Sequence, residues 1–171
     1  MAIIDVSTVD QRALHLNDFL DNVLARVVEV YDEYNVPLPD RQYWTVGEPA
    51  IDCEQLVLSF IQIYLGTPGD QASTPQRCTA PRSAVLTLSI SREIPTVGNN
   101  GKGPSAEKIE DASRIAVVDA YMFMELIRRL DQWKEDTDPI DFGMGVIATA
   151  DTSGFDGGFQ TTAMQLTMVV P

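Results

Sequence analysis

The glycine-rich stretch "PTVGNNGKGPS" at residues 95–105 contains the residue types of a phosphate-binding loop, since glycines and a lysine stand just before a predicted helix. A Walker loop has the pattern G-x-x-x-x-G-K-[ST]. Here Gly103 occupies the place of the hydroxyl residue that holds Mg²⁺, and Thr96 occupies the place of the first glycine. The dinucleotide pattern G-x-G-x-x-G also fails, because the gaps between the glycines come in the wrong order. We therefore interpret the stretch as a flexible strand-to-helix connection and expect no bound nucleotide.

The few thiol and imidazole groups do not form a recognisable catalytic or metal-binding pattern. His15 is the only histidine, and no second histidine or cysteine stands near it in the sequence to suggest a metal site. Cys53, followed by Glu54, could be imagined as a nucleophile, but the sequence shows no evident partner that would activate its thiol. Cys53 and Cys78 are too few for a disulfide framework. Each is interpreted as a free cysteine that packs as a small buried hydrophobic residue. The alternative, that the two cysteines lie close together or pair after oxidation, remains open. We expect no cofactor, no metal and no enzymatic activity.

Carboxylates are plentiful, but their pattern does not define a catalytic pair. The chain has 25 acidic and 12 basic residues and a net charge of −13, and residues 1–60 alone carry eleven acids and three bases. The acids of the first predicted helix fit its solvated side: Asp18, Asp21, Asp32 and Glu33. The stretch "DTSGFDGG" (151–158) lacks the ligand spacing of a calcium loop. This composition disfavours tight DNA binding and suits a surface past which DNA slides without sticking.

The bulk composition indicates one globular domain spanning residues 1–171. The chain has 171 residues, of which 44% are hydrophobic, enough for a real core. No apolar run approaches the length of a membrane helix, so we expect no membrane association. The N-terminus "MAIIDVSTVD" lacks the basic and apolar regions of a secretory signal, which predicts synthesis into the cytosol.

Hydrophobic periodicity predicts two helices that bracket a set of strands. Residues 8–34 form an amphipathic helix, capped by Ser7 or Thr8, and "NVPLP" (35–39) ends it. Its apolar stripe is Leu16, Leu20, Val23, Val27, Val30 and Tyr34. Residues 105–133 form the second helix with Ser105 as N-cap. Its stripe is Ile109, Ala112, Ala116, Ala120, Phe123, Ile127 and Leu130, flanked by Met122, Met124 and Leu126, for which core is favoured over interface.

Five segments are predicted as strands: 41–47, 53–66, 83–93, 142–150 and 159–170. In the second segment we place Leu56, Leu58 and Phe60 on one face and Val57, Ile61 and Ile63 on the other. The third segment buries Ala84, Leu86, Leu88 and Ile90 and turns Thr87, Ser89 and Ser91 outward. We expect the second and third strands to pair antiparallel and the last two to form a hairpin. The fold class is therefore α+β, with a mostly antiparallel sheet of four to five strands packed by two long helices.

Four stretches occur in a fixed order along the chain: "PAIDCEQLVLSFIQIYLGTPG" (49–69), "CTAPRSAVLTLSISREIPT" (78–96), "AEKIEDASRIAVVDAYMFMELIRRL" (106–130) and "GGFQTTAMQLTMVV" (157–170). In this order and spacing, residues 49–170 resemble the tail terminator proteins of long-tailed (siphovirus-type) actinobacteriophages, and more distantly those of lambda-like phages. The family pattern opens a strand with a cysteine before Gln-Leu, here Cys53 to Leu56. A second cysteine, Cys78, precedes a strand that ends in Arg92 and Pro95. The chain departs from the pattern in its longer glycine- and asparagine-rich loop at 98–103 and in a final strand without tryptophan.

The resemblance implies a structural role in the virion. Tail terminators form a homohexameric ring at the head-proximal end of the tail, where they cap the tail tube and join it to head-completion or connector proteins. DNA then passes through the lumen without specific binding, and assembly takes place in the host cytoplasm. A closing ring needs a head-to-tail interface, to which loops contribute when they order on a neighbour. The candidate assembly-loop residues are Gly98, Asn99, Asn100, Gly101, Lys102 and Gly103, with Asp70 and Gln71 in the polar loop 67–76.

Three alternatives remain open from the sequence. The first is another head–tail connector or head-completion (neck) protein, which position in an assembled particle distinguishes. The second is a small acidic enzyme or ligand-binding domain, which predicts a deep polar-lined pocket and a stable monomer. The third is an interaction module that mimics DNA through the acid-rich helix 8–34.

Overall fold

In the described part of the chain, two helices pack against one five-stranded sheet. The computed structural model describes residues 11–69, 81–97, 101–130, 147–152 and 158–170. Its elements are, in order, α1 (Gln11–Glu33), β1 (Arg41–Val46), β2 (Gln55–Leu65), β3 (Arg82–Glu93), α2 (Ala106–Leu130), β4 (Ile147–Thr152) and β5 (Phe159–Val170). This order confirms the prediction of an α+β fold. The predicted caps at Ser7 and Thr8, and the predicted strand residues 142–146, lie outside the described residues.

The strand order of the sheet is β1-β2-β3-β5-β4. The β2–β3, β3–β5 and β4–β5 pairs are antiparallel, which confirms the two predicted antiparallel pairs. The β1–β2 pair is parallel, with Arg41 opposite Gln55 and Val46 opposite Phe60. Residues 47–54 return the chain between these two strands, and a short return suffices because β1 is only six residues long. The sheet is therefore mixed but mostly antiparallel.

Both helices cover one face of the sheet and enclose the hydrophobic core. The core contains Phe19, Leu20, Val23, Val27, Val30 and Tyr31 of α1, Met122, Phe123 and Leu126 of α2, and Leu56, Leu58, Ala84, Leu86, Leu88, Ile90, Met164, Leu166 and Met168 of the sheet. The predicted buried face of β3 is confirmed, since all four of its apolar residues are fully buried. Among the described helices, none is long and apolar enough to cross a membrane.

The predicted faces of the helices need three corrections. Tyr34, placed in the α1 stripe, is 40% exposed, and Tyr31 is the buried tyrosine. On α2, Met122 and Leu126 are core residues, as favoured, but Met124 is 56% exposed. Ile109 was predicted to be buried as part of the apolar stripe, but it is 37% exposed near the start of α2. The core direction of α2 is rotated toward Met122 and Leu126 because these larger side chains fill more of the space above the sheet than the alanines do.

A β-bulge in β2 overturns the predicted alternation beyond Phe60. The pairing with β3 shifts register between Phe60 and Gln62, so Ile61 is an extra residue without its own partner. Ile63 consequently pairs with Ala84 and shares the helix-covered face, instead of the opposite face that the sequence predicted. The side chains of Ile61 and Ile63 remain exposed, at 40% and 47%. A single inserted residue reverses the face of every residue that follows it.

The other face of the sheet is lined with small polar side chains. Ser89 and Ser91 of β3 lie on this face, as predicted, but they are buried instead of open to water. Ser91 Oγ and Thr161 Oγ1 are 2.9 Å apart and share a hydrogen bond across the β3–β5 pair. Val57 on this face is fully buried as well. Small side chains between larger neighbours lose their water contact without belonging to the helix-covered core.

Candidate functional site

The assembly-loop residues that the structure describes lie directly before α2. Gly101, Lys102 and Gly103 are exposed, and Gly101 has a φ of +71° that favours glycine. The predicted N-cap is confirmed, because Ser105 Oγ accepts a hydrogen bond of 3.4 Å from the backbone N–H of Lys108. The other candidates, Gly98, Asn99, Asn100, Asp70 and Gln71, lie outside the described residues.

Cys53 contacts a cation instead of being a simple buried hydrophobic residue. Arg41 Nη1 donates to Asp52 Oδ1 at 2.6 Å and to Cys53 Sγ at 3.3 Å. The same guanidinium lies 5.1 Å from the ring centroid of Tyr43. The hydrogen bond with Cys53 and the charge of Arg41 lower the pKa of the Asp52 carboxyl. Cys53 is half-buried. Its relation to Cys78 stays open because Cys78 lies outside the described residues.

Within the described ranges, no three His, Cys, Asp or Glu side chains are grouped closely enough to hold a metal ion. The ionisable side chains that do come together form ion pairs with arginine, and two such clusters stand out because each joins α1 to α2.

The first cluster is centred on Asp119, whose side chain is fully buried. Arg92 of β3 binds it through both ends of the guanidinium, with Nε 3.0 Å from Oδ2 and Nη2 3.0 Å from Oδ1. Arg92 Nη2 also donates to the backbone carbonyl of Pro37 at 2.9 Å. Tyr31 Oη of α1 lies 3.4 Å from Asp119 Oδ1. The cluster therefore connects α1, β3, α2 and the segment that follows α1.

Burial governs the titration of this cluster. Loss of hydration raises the pKa of Asp119, against the opposing effect of the hydrogen bonds and charge of Arg92. Burial likewise raises the pKa of Tyr31, and the nearby Asp119 carboxylate adds to this rise. A buried ion pair with two aligned hydrogen bonds specifies one arrangement of its elements, since any other arrangement leaves a charge unpaired.

The second cluster is centred on Glu125, whose side chain is 7% exposed. Arg128 Nε donates to Glu125 Oε2 at 2.8 Å, and Arg129 Nε donates to Oε1 at 3.0 Å. Tyr34 Oη, in the residue that follows α1, donates to Oε1 at 2.9 Å. Arg129 also pairs with Glu33, the last residue of α1. These hydrogen bonds, with that of Arg128 the largest, lower the pKa of Glu125 to about 2.

Sequence reasoning missed both clusters, although one signal was available. Asp119 falls on the core side of α2, between Ala116 and Phe123 at helical spacing, and an acidic residue inside an apolar stripe calls for a buried partner. The partner Arg92 carries no such local signal. Among the acids assigned to the solvated side of α1, all four are exposed as expected, but Glu33 pairs with Arg129 and Asp21 accepts a hydrogen bond from Trp44 Nε1 at 2.7 Å.

An apolar row covers the side of α2 that faces away from the sheet. Val117, Tyr121 and Met124 follow one another at spacings of four and three residues and are 69%, 61% and 56% exposed. We call these three residues the outer face of α2. Arg114 and Arg128 flank the row, and each is already paired with a carboxylate of the same helix. An exposed row of large apolar side chains on a helix is typical of a surface that another molecule covers.

Comparisons with known proteins do not identify a family. No protein-family model matches the chain, and no curated protein matches it.

Proposed function

We propose that the chain is a phage tail terminator, a structural protein that forms a ring at the head-proximal end of the tail tube and joins the tube to head-completion proteins. The proposal begins from the order and spacing of four stretches over residues 49–170, which resemble that family. The α+β architecture found for these stretches agrees with that reading. In this role the partners are further copies of the chain, the tube protein and a head-completion or connector protein.

The observation that carries the proposal is the outer face of α2. Three large apolar side chains, each more than half exposed, follow one another on the side of the helix opposite the core. A ring of identical copies closes through a head-to-tail contact, in which one surface of a copy meets a different surface of the next. The outer face of α2 supplies one half of such a contact, because its burial removes apolar area from water.

The assembly loop extends this surface toward the start of α2. Gly101, Lys102 and Gly103 are exposed and stand a few positions before Ala106, the first residue of the helix. A loop beside an apolar helix face adds backbone and polar groups at its rim, where interfaces are usually polar. The ring contact therefore comprises the outer face of α2 and residues 101–103.

The two ionic clusters fix the orientation of this contact surface. Asp119 lies on the side of α2 opposite Val117, Tyr121 and Met124, where it meets α1 and β3. Glu125 lies at the flank between the two sides, one turn after Tyr121, and bonds Tyr34 just after α1. A surface on a helix that is held at two points is presented in one orientation, which lowers the entropy lost on assembly. Repeated use of one contact around a ring requires such a fixed orientation.

The charge of the chain is compatible with a role around passing DNA. The net charge of −13 opposes attachment to a phosphate backbone, since tight DNA binding depends on basic residues that displace counterions. A lumen built from acidic copies lets DNA pass without being held.

Electron microscopy of tail tubes assembled with the protein tests the proposal. We expect rings with a central hole at one tip of each tube, and tubes of uniform length because the rings stop polymerisation. Tyr121→Asp places a charge in the outer face of α2 and should abolish the rings. Ile51→Asp makes the same change at a residue that is 45% exposed outside that face, and it should assemble like the wild type.

Two results would contradict the proposal. Assembly of Tyr121→Asp rings indistinguishable from those of Ile51→Asp would remove the role of the outer face. A protein that never associates with tube tips at any concentration would remove the function itself. Rings found on the head side of the neck, with bare tube tips, would instead favour a head-completion protein. A variant with loop 98–103 shortened should also fail to join tails, and wild-type joining would remove the role of the loop.

A further inference from the structure

The C-terminal end of β2 carries apolar side chains and, among the described residues, has a neighbouring strand on one side only. β1 pairs with β2 only as far as Phe60, where the N–H of Gly47 donates to the Phe60 carbonyl at 2.9 Å and the chain turns away. Beyond that point, residues 61–65 pair with β3 on one side. In the described part of the chain, no strand lies on their other side. We call residues 61–65 the β2 overhang.

The side chains of the β2 overhang are uncharged and open to water. Its sequence is "IQIYL", and Ile61, Ile63 and Leu65 are 40%, 47% and 43% exposed. Native sheet edges are usually protected by charges, proline or a covering element, and an uncharged β-branched edge is a site for strand pairing. Apart from the bulge at Ile61, which begins it, the overhang carries none of these protecting features. It therefore has the properties of a strand that receives another strand.

The backbone of the overhang has groups directed at the open edge. The N–H of Gly66 donates to the carbonyl of Pro81 at 2.8 Å, so Gly66 points toward β3. Because successive residues of a strand direct their backbone groups to opposite edges, Tyr64 and Gln62 also point toward β3. Ile63 and Leu65 then direct their N–H and C=O groups outward. These groups are available to a strand that adds at the edge.

We propose that the β2 overhang pairs with the same overhang of a second copy, antiparallel and with its two-fold axis at Ile63. The sequence is self-complementary in this register. Ile61 of one copy lies opposite Leu65 of the other, Ile63 lies opposite its own equivalent, and Gln62 lies opposite Tyr64. The apolar side chains then share one face of the pair and the polar ones share the other.

The charge distribution favours a second copy at this place. Two copies with a net charge of −13 repel one another over most of their surfaces, and residues 1–60 carry most of that charge. Residues 61–69, by contrast, contain no charged side chain, and residues 61–104 as a whole contain two acids and four bases. The overhang is thus a place where two identical acidic chains approach with little repulsion.

This contact is distinct from the proposed ring contact and does not rest on it. A two-fold contact uses the same surface on both copies and closes at a dimer, whereas a ring contact joins two different surfaces. The overhang contact joins two five-stranded sheets into one continuous sheet through β2. The helix α2 packs over β4 and β5, so its outer face is not part of this contact. Copies held this way in solution remain able to form the head-to-tail contact.

Sedimentation of the full chain between about 1 µM and about 100 µM tests the proposal, because weak edge pairing lies in this affinity range. We expect a reversible monomer–dimer equilibrium. Ile63→Lys places two like charges opposite each other at the two-fold axis and should weaken dimerisation at least about tenfold. Val117→Lys makes the same kind of change on the outer face of α2 and should leave the dimerisation constant unchanged. A chain that stays monomeric throughout the range, or a loss of dimer in Val117→Lys but not in Ile63→Lys, would overturn the proposal.

Amide hydrogen exchange on the unmodified chain gives a test that does not depend on a variant. The N–H groups of Ile63 and Leu65 should exchange at least about tenfold more slowly at the highest concentration than at the lowest, because dimerisation covers them. The N–H groups of Gln62 and Tyr64, already bonded to β3, should change far less. Equal exchange of Ile63 and Leu65 at both concentrations, in a sample that sediments as a dimer, would place the contact elsewhere. Tube-tip rings formed by Ile63→Lys would show that the two contacts are independent.

Discussion

Asp119 and Glu125 lie less than two turns apart on α2, and each meets arginine and a tyrosine in or just after α1. The pKa values of their carboxyl groups are nevertheless shifted in opposite directions. Asp119 is bound by Arg92 and Tyr31, and its pKa is raised. Glu125 is bound by Arg128, Arg129 and Tyr34, and its pKa is lowered to about 2. Similar partners thus produce opposite effects in two clusters of one helix.

The difference lies in the balance between lost hydration and hydrogen bonds. Asp119 is buried between the sheet and α1, where the loss of water outweighs the paired hydrogen bonds from Arg92. Glu125 is also largely buried, with a side chain that is 7% exposed, but it accepts hydrogen bonds from Arg128, Arg129 and Tyr34, and together these outweigh its loss of hydration. An ion pair in a structure therefore does not by itself indicate the direction of the pKa shift, because the hydration lost on burial and the hydrogen bonds from donors decide it together.

The largest effect is expected from removing the buried carboxylate. Asp119→Ala leaves the guanidinium of Arg92 unpaired in a mostly buried position, and it should lower the free energy of unfolding by about 3–5 kcal/mol. Glu125→Ala should cost clearly less, because Arg128 regains water and Arg129 keeps Glu33. Urea unfolding at pH 7 measures both losses. Equal losses would contradict the contrast between the two clusters.

Replacing both partners of the buried pair should recover most of that loss. The double variant Asp119→Leu with Arg92→Met removes both charges, and apolar pairs often substitute for buried ion pairs at little net cost. We expect its free energy of unfolding to lie above that of either single variant. A double variant as unstable as the sum of the single ones would mean that the two charges do not act as a pair.

Below neutral pH, the two carboxyl groups should change the free energy of unfolding in opposite directions. The folded pKa of Glu125 lies below its ordinary value of 4.5, so its contribution is present above pH 4.5 and is lost as the pH falls toward about 2. Asp119 has a raised folded pKa, so its own titration favours the folded state as the pH falls toward its ordinary value of 3.8. Glu125→Gln should therefore flatten the loss of stability in acid, and Asp119→Asn should steepen it. Chemical unfolding from pH 6 to pH 2 measures both slopes.

The smallest effects are expected from the tyrosine hydroxyls. Tyr31 Oη lies 3.4 Å from Asp119, and Tyr34 Oη lies 2.9 Å from Glu125. Tyr31→Phe and Tyr34→Phe each remove one hydroxyl and keep the ring, so each should lower the free energy of unfolding by roughly 0.5–1.5 kcal/mol. Thermal unfolding detects changes of this size. A loss from Tyr31→Phe as large as that from Asp119→Ala would show that the hydroxyl, and not Arg92, holds the buried carboxylate.

Much of the fold follows from short-range patterns in the sequence, and the candidate sites follow less well. The alternation of Ala84, Leu86, Leu88 and Ile90 located β3 and its buried face, because every second side chain of a strand points to the same face of the sheet. The same rule failed in β2, because nothing in "SFIQIYL" marks Ile61 as a bulge residue. The exposed Met124 was not separated from the buried Met122, since the rotation of α2 depends on what lies beneath it.

By itself, the sequence determined the order of the elements, the α+β class and most core-facing residues, because each depends on contacts or periodicities within a few neighbouring residues. Only the tertiary structure decided that Arg92 meets Asp119, that β1 runs parallel to β2, and that residues 61–65 have β3 as their one neighbouring strand in the described part of the chain. Each of these depends on groups that are distant in the chain and adjacent only after folding. Burial, register and edge exposure are properties of such assembled neighbours, and no local pattern encodes them.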